Sequence, residues 1–275
     1  MPVLRPDVPM SLGDHLHELR SRIILPIYAF IIVFVLAFFM QDQLKILFIQ
    51  PLLWACAIAN DLTPGCVEKA GIHLSQIDYE KNFRVLKVFD LSESVWVSVS
   101  LSMWAAVVVT IPLIVFQIWQ FICVGLTAQE RRLGFLLVPA GIILFYLGAV
   151  TGYYVGMPWF FAWFIEWTAR DPIGVFDLRM EYYKNAFFIY TVCFGLLMDI
   201  PWLVVVICRI GFTTPDKLAG WRRHVVLIVA IISGIITPPD PFSMLIMMVP
   251  MYLLFEGGLL AARLVGGPRK DPDRA

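Results

Sequence analysis

Apolar and polar positions along this chain fall into blocks long enough to read as helices. Leu12, Leu16, Leu19 and Ile23 recur at helical spacing and draw one apolar stripe through a polar stretch, residues 11–22. Ser11 heads that stretch with Asp14 three residues on, the form of a capping box. The pattern predicts an amphipathic helix at the membrane surface that runs into a first apolar span. Apolar blocks predict six spans at about 23–40, 95–116, 133–155, 186–208, 223–237 and 243–262. The long polar segment 41–94 separates the first two, and its Leu44, Leu47, Phe48 and Leu52 predict a helix lying against the membrane. Residues 263–275 form a polar tail. The expectation is an all-α protein of six transmembrane helices in one polytopic membrane domain, 1–275.

Details inside the spans refine this picture. Ser94, Ser98, Ser102, Ala106 and Thr110 recur every fourth residue, as do Gly148, Gly152 and Gly156, so both spans are expected to offer small-residue faces for close helix packing. The run 158–167 is crowded with Trp and Phe and reads as an interfacial belt. Asp199-Ile200-Pro201 interrupts the fourth span. Thr214-Pro215-Asp216 carries a helix start, with proline at the first helical position. The fifth span has only a dozen strongly apolar residues, a rise of about 18 Å against a hydrocarbon core of about 30 Å. It must borrow flanking residues, or the bilayer must thin there.

Composition agrees. The chain has 275 residues, 60% apolar and 15% charged, with mean hydropathy +0.79; a soluble domain would carry about 25% charge. A net charge of zero argues against a nucleic-acid partner. No nucleotide-binding glycine loop and no metal-type His/Cys spacing is present, so no cofactor is implied. His15 and His17 lie on opposite sides of a helix and make a poor metal pair. The first apolar run follows a long mixed-charge segment and is not followed by an A-x-A site, so it is expected to be a retained span rather than a cleaved signal. Of the 21 basic residues, thirteen fall in the two termini and the loops around 131 and 209–223, and eight in the much longer opposite loops. The positive-inside rule then puts both termini and the loop bearing Glu130 in the cytoplasm. Cys56 and Cys66 share the first external loop, where a disulfide is allowed if that loop meets an oxidising compartment.

Candidate chemistry sits on a few polar groups. An ionised side chain at a helix centre costs roughly 2.5–3.5 kcal/mol on insertion scales, which singles out Asp199 and Glu256. Each is either a protonated acid bonded to a neighbouring helix or part of a polar cavity wall, with Gln117 as a further polar position. A proton-coupled transporter using Asp199 and Glu256 is one reading, although no internal repeat of the kind such folds show is visible. Glu130 differs, because it lies at the inner interface directly before Arg131 and Arg132, with Trp119 and Phe121 upstream. It is either a solvated charge paired with those arginines or an acceptor for an incoming guanidinium. A carboxylate takes a guanidinium in bidentate fashion, and an aromatic ring can stack on it. Glu18, whose simplest partner is Arg22 at i,i+4, would enter the same interface from the first helix.

An ordered set of motifs resembles the TatC family, the receptor subunit of twin-arginine protein export. His15-Leu16-His17-Glu18-Leu19-Arg20-Ser21-Arg22 is similar to its HLxELRxR start. Gln117-Ile118-Trp119-Gln120-Phe121, then Gly125-Leu126 and Glu130-Arg131-Arg132, follow in order. Phe194-Gly195 with Asp199-Ile200-Pro201, Gly211-Phe212-Thr213-Thr214-Pro215, Thr237-Pro238-Pro239-Asp240 and the run ending at Glu256 complete the series. Val124 stands where the family's FxxPGL has proline, and Ser100 where a basic residue is expected. Pro51 is similar to a family proline of the first external loop. The resemblance implies a bowl-like six-helix bundle in the bacterial inner membrane, without enzymatic activity. It implies binding of twin-arginine signal peptides of folded precursors by Glu130, Phe121, Glu18 and Arg20, with Asp199 facing a concave cavity. It further implies single-span partners of the TatA/TatB type, a homo-oligomer within a complex, and transport driven by the proton-motive force.

Overall fold

The computed structural model describes residues 12–69, 86–122, 128–171, 179–209, 211–236 and 241–264. Among them every regular element is helical, apart from a single backbone bridge between Lys87 and Arg179. In chain order these are α1 (Leu12–Phe39), α2 (Gln41–Leu62), α3 (Cys66–Lys69), α4 (Glu93–Ile122), α5 (Ala128–Thr151), a π turn (Gly152–Gly156), α6 (Met157–Arg170), α7 (Met180–Met198), α8 (Ile200–Arg209), α9 (Pro215–Gly220), α10 (Arg222–Ile236) and α11 (Pro241–Leu264). Among the described residues six stretches are long and apolar enough to cross a membrane: Arg22–Phe39, Gln41–Leu62, Glu93–Phe121, Leu137–Arg170, Met180–Arg209 and Met247–Leu264. By that measure α2 qualifies and α10 does not. The 15 residues of α10 rise about 22 Å, short of the hydrocarbon core.

The chain divides into two compact units, residues 1–138 with 157–187, and residues 139–156 with 188–275. In the first, α1 packs along α4, and α2 packs on α6. The apolar stripe of α2 is spent on this packing rather than on lipid alone. Phe48, Leu52, Ala55, Cys56 and Ala59 are all buried, whereas Leu47 remains half exposed. The Phe48 ring lies 4.7 Å from Tyr183 and 5.1 Å from Phe187, within the range where tilted aromatic pairs attract. The buried Tyr183 hydroxyl donates to Phe48 O at 2.8 Å, which satisfies the one polar atom in that cluster. Pro51, matched above to a family proline, is buried within α2.

The start of α4 is tied down by Glu93. Its Oε2 accepts from the backbone N–H groups of Phe89 at 2.8 Å and Asp90 at 3.4 Å. Its Oε1 accepts from Glu181 N at 3.0 Å, in the first turn of α7. One carboxylate thus ties the segment entering α4 to an orphan amide in the first turn of α7, and its negative charge suits the dipoles of both helices. The Arg179 guanidinium stacks on Phe89, 4.3 Å from the ring centre, and closes the same corner.

Along α4 the small-residue ladder is buried at Ser98, Ser102, Ala106 and Thr110. Its hydroxyls turn back onto their own helix: Ser98 to Ser94 O, Ser102 to Ser98 O and Thr110 to Ala106 O, at 3.0, 2.9 and 2.7 Å. That leaves a face without free donors against which a helix can pack closely.

In the second unit the glycines make room for aromatic rings. A Cβ at Gly152 or Gly156 would fall onto the Phe194 ring, and one at Gly148 onto Met198 and the Phe194 carbonyl. Reciprocally, Gly195 faces the Phe145 ring, and Gly141 faces Trp202. The chain between α7 and α8 breaks at Asp199, the position marked by the Asp-Ile-Pro signature. Gly258 of α11 lies against Pro201 and Val204, and Val204, Cys208, Phe255, Leu259 and Ala262 form the adjoining core. α9 begins as Thr214-Pro215-Asp216 predicts: Thr214 Oγ1 accepts from Lys217 N at 3.4 Å, and Pro215 occupies the first helical position.

Cys56 and Cys66 are both buried free thiols, so the bridge allowed by their spacing is not formed. Gly65, at φ +79°, reverses the chain so that Cys66 returns against α2. There its Sγ–H donates to Ala59 O at 3.0 Å, a backbone partner three residues on from Cys56.

Candidate polar edge of the membrane bundle

Gln117, Gln120 and Phe121 are spaced i, i+3, i+4 and share one face at the end of α4. All three are half-buried. Arg22 Nη1 donates to Gln120 Oε1 at 2.5 Å across 98 residues of sequence, so the start of α1 is held beside the end of α4. Gln120 is a residue quoted within its motif but given no role of its own; the i,i+4 pairing of Glu18 with Arg22 lies outside the described residues. Arg20 is exposed one turn-half earlier on α1. Glu18 lies in the first turns of α1, and its side chain falls outside the described residues.

α5 opens at Ala128, so Glu130 sits in its first turn; its side chain likewise lies outside the described residues, as do Val124 and Gly125-Leu126. Four residues on, Gly134 is buried and carries the Trp119 ring directly on its backbone, for a Cβ there would fall inside the indole. The indole Nε1–H is buried without an acceptor among the described residues, an arrangement that costs about 1–3 kcal/mol and is uncommon for tryptophan. Nothing in periodicity pointed to Gly134. The available signal was a lone glycine in the interior of a helix, a residue that weakens a helix by roughly 0.5–1 kcal/mol relative to alanine.

The two intramembrane acids prove unlike each other. Asp199 occupies the break between α7 and α8, and its Oδ1 is buried without a partner among the described residues. Glu256 is fully engaged. Arg222 clamps it in bidentate fashion, Nε to Oε1 at 2.7 Å and Nη2 to Oε2 at 2.8 Å. The Tyr252 hydroxyl adds a third bond to Oε1 at 2.8 Å. Tyr252 was legible one turn before Glu256, whereas Arg222, 34 residues upstream, was not. Hydrogen bonding to Glu256 holds the Arg222 guanidinium above its already high ordinary range. With three donors on two oxygens, Glu256 is built as a strut between α10 and α11, not as a carrier that must release a proton. Arg263 and Asp216 make a second, looser tie from α11 to α9 at 3.4 Å. Arg222→Ala is expected to lower the melting temperature of the purified protein. Arg222→Lys is expected to restore only part of the loss, because an ammonium cannot repeat the two parallel bonds.

Six long apolar helices, with no strand element among the described residues, define a multi-pass α-helical membrane protein. The family model for Sec-independent protein translocase protein (TatC) matches residues 14–250. The chain belongs to the TatC family. A Deinococcus radiodurans TatC is 32% identical over 268 residues, covering 95% of this chain and 90% of its own length. The Escherichia coli K12 TatC is 27% identical over 257 residues, covering 94% and 90%. A Halothiobacillus neapolitanus TatC is 30% identical over 251 residues; the match takes in 90% of this chain but only 61% of that longer protein. Two crystal structures of the twin-arginine translocase receptor TatC share the fold. One has TM-score 0.67 at 24% identity, covering 90% of this chain and 99% of that one; the other has TM-score 0.65 at 25% identity, covering 91% and 98%.

Proposed function

We propose that this protein is the receptor of a twin-arginine export system in a bacterial inner membrane. On this reading it binds the paired arginines of signal peptides on folded precursors. Glu130 accepts a guanidinium, Phe121 covers or stacks on it, and Glu18 and Arg20 shape the same patch. Bidentate pairing with carboxylate and stacking on an aromatic face both select guanidinium over ammonium. The observation that carries the reading is the Arg22–Gln120 bond, which holds the HLxELRxR helix beside the end of α4, one residue from Phe121. Two motifs 98 residues apart in sequence thereby share one end of the first unit. Six spans with an excess of bases in the termini and the Glu130 loop support a cytoplasmic placement of that end.

The protein would then nucleate assembly with single-span partners of the TatA/TatB type, as a homo-oligomer, with transport driven by the proton-motive force and without nucleotide hydrolysis. Asp199, with a buried oxygen that has no partner among the described residues, is assigned to the wall along which the apolar part of the signal lies. Site-specific photocrosslinkers at Phe121, Glu130 and Asp199 provide the test. Adducts from positions 121 and 130 to the arginine-bearing segment, and from 199 to its apolar segment, are the expected result. Adducts to the precursor from none of the three would overturn the proposal.

A further inference from the structure

We propose that Trp119 and Gly134 are positioning residues that set the Glu130 carboxylate at the peptide site; the inference rests on the role given to Glu130 above. Glu130 and Gly134 are spaced i,i+4, so they lie on one face of α5. Gly134 is the point on that face where Trp119 of α4 makes contact. Position 130 of α5 therefore lies one turn from the contact with α4, whose last turn carries Gln120 and Phe121. The depth of the contact is set by a flat ring on bare backbone: Cζ2, Cη2 and Cε2 of Trp119 occupy the space a Cβ would need. No hydrogen bond from the indole N–H to any described residue fixes the ring, and its fit against Gly134 is one of shape. A change of one methyl group at position 134 must move α5 or the ring, and Glu130 sits one turn away.

Opposed effects make the idea testable. Alanine is the better helix former, so Gly134→Ala should be neutral or stabilising by propensity alone; if the contact positions Glu130, peptide binding should fall instead. Trp119→Phe removes the ring atoms nearest Gly134 and makes room for the methyl group. The full-length protein in nanodiscs is titrated with a synthetic twin-arginine signal peptide. Gly134→Ala is expected to weaken binding about tenfold, and Trp119→Phe/Gly134→Ala to return within about threefold of the parent. A second reading needs no peptide. The distance between bio-orthogonal spin labels at positions 118 and 128 should shift in Gly134→Ala and return in the double variant. Gly134→Ala binding like the parent with the label distance unchanged, or a double variant as weak as Gly134→Ala alone, would overturn the proposal. A Glu130→Gln control separates the two ideas. If it binds like the parent, the role of Glu130 in guanidinium capture falls, while the label distances still decide whether Trp119 and Gly134 set the hairpin.

Discussion

Glu130→Gln is expected to weaken binding of a twin-arginine peptide by about 10- to 100-fold while the protein still accumulates in the membrane. The size follows from the interaction removed. A hydrogen bond to a charged partner contributes about 1.5–3 kcal/mol, and each 1.4 kcal/mol is tenfold in affinity. Glutamine keeps the shape and one acceptor but loses the charge and the second acceptor, so bidentate capture of a guanidinium ends. Because Glu130 lies in the first turn of α5, losing its charge costs the helix only the few tenths of a kcal/mol that an acid contributes near an N-terminus. Binding and folding should therefore part company in this variant, as seen by peptide titration beside membrane abundance.

A second large effect is expected within the second unit. Gly152→Leu is expected to abolish stable accumulation, because the new Cβ would meet Cβ and Cγ of Phe194 within the second unit. Overpacking of a tight contact typically costs 1–3 kcal/mol and more where backbone cannot give way. Here the site is also a π turn, whose ring of backbone bonds has little freedom to shift. Gly257→Leu is the matched control. Gly257 sits in the interior of α11 with nothing within 4 Å of an added Cβ, so it should be tolerated. Quantitative immunoblotting of membranes decides between them. Equal abundance of the two variants would contradict the glycine–aromatic packing described here.

What could be read ahead of the structure was local. The break at Asp199 and the start of α9 each depend on residues within one or two turns, and each is found where the pattern put it. The glycine spacing was also legible, but not its occupants: small-xxx-small predicts close approach, and the Phe194 and Met198 side chains fill much of that space. The apolar stripe of α2 announced a helix without saying what covers it, and packing on α6 supplies the cover. Pairings across long sequence separations were invisible. Arg22 with Gln120 and Arg222 with Glu256 are 98 and 34 residues apart, and no periodicity reaches that far. Trp119 on Gly134 escaped for a different reason, since a single helical glycine has several bland explanations.

On the proposed reading, an acidic spot at the membrane surface captures paired guanidiniums selectively. The most direct measurement is the affinity of the unmodified protein in nanodiscs for three peptides that differ only in the pair: Arg–Arg, Lys–Lys and Gln–Gln. Binding of Arg–Arg about tenfold or more tighter than Lys–Lys, with Gln–Gln weakest, is the predicted order. Equal affinity for Arg–Arg and Lys–Lys would contradict the account, because charge alone would then explain binding and the fork of the guanidinium would have no counterpart in this protein.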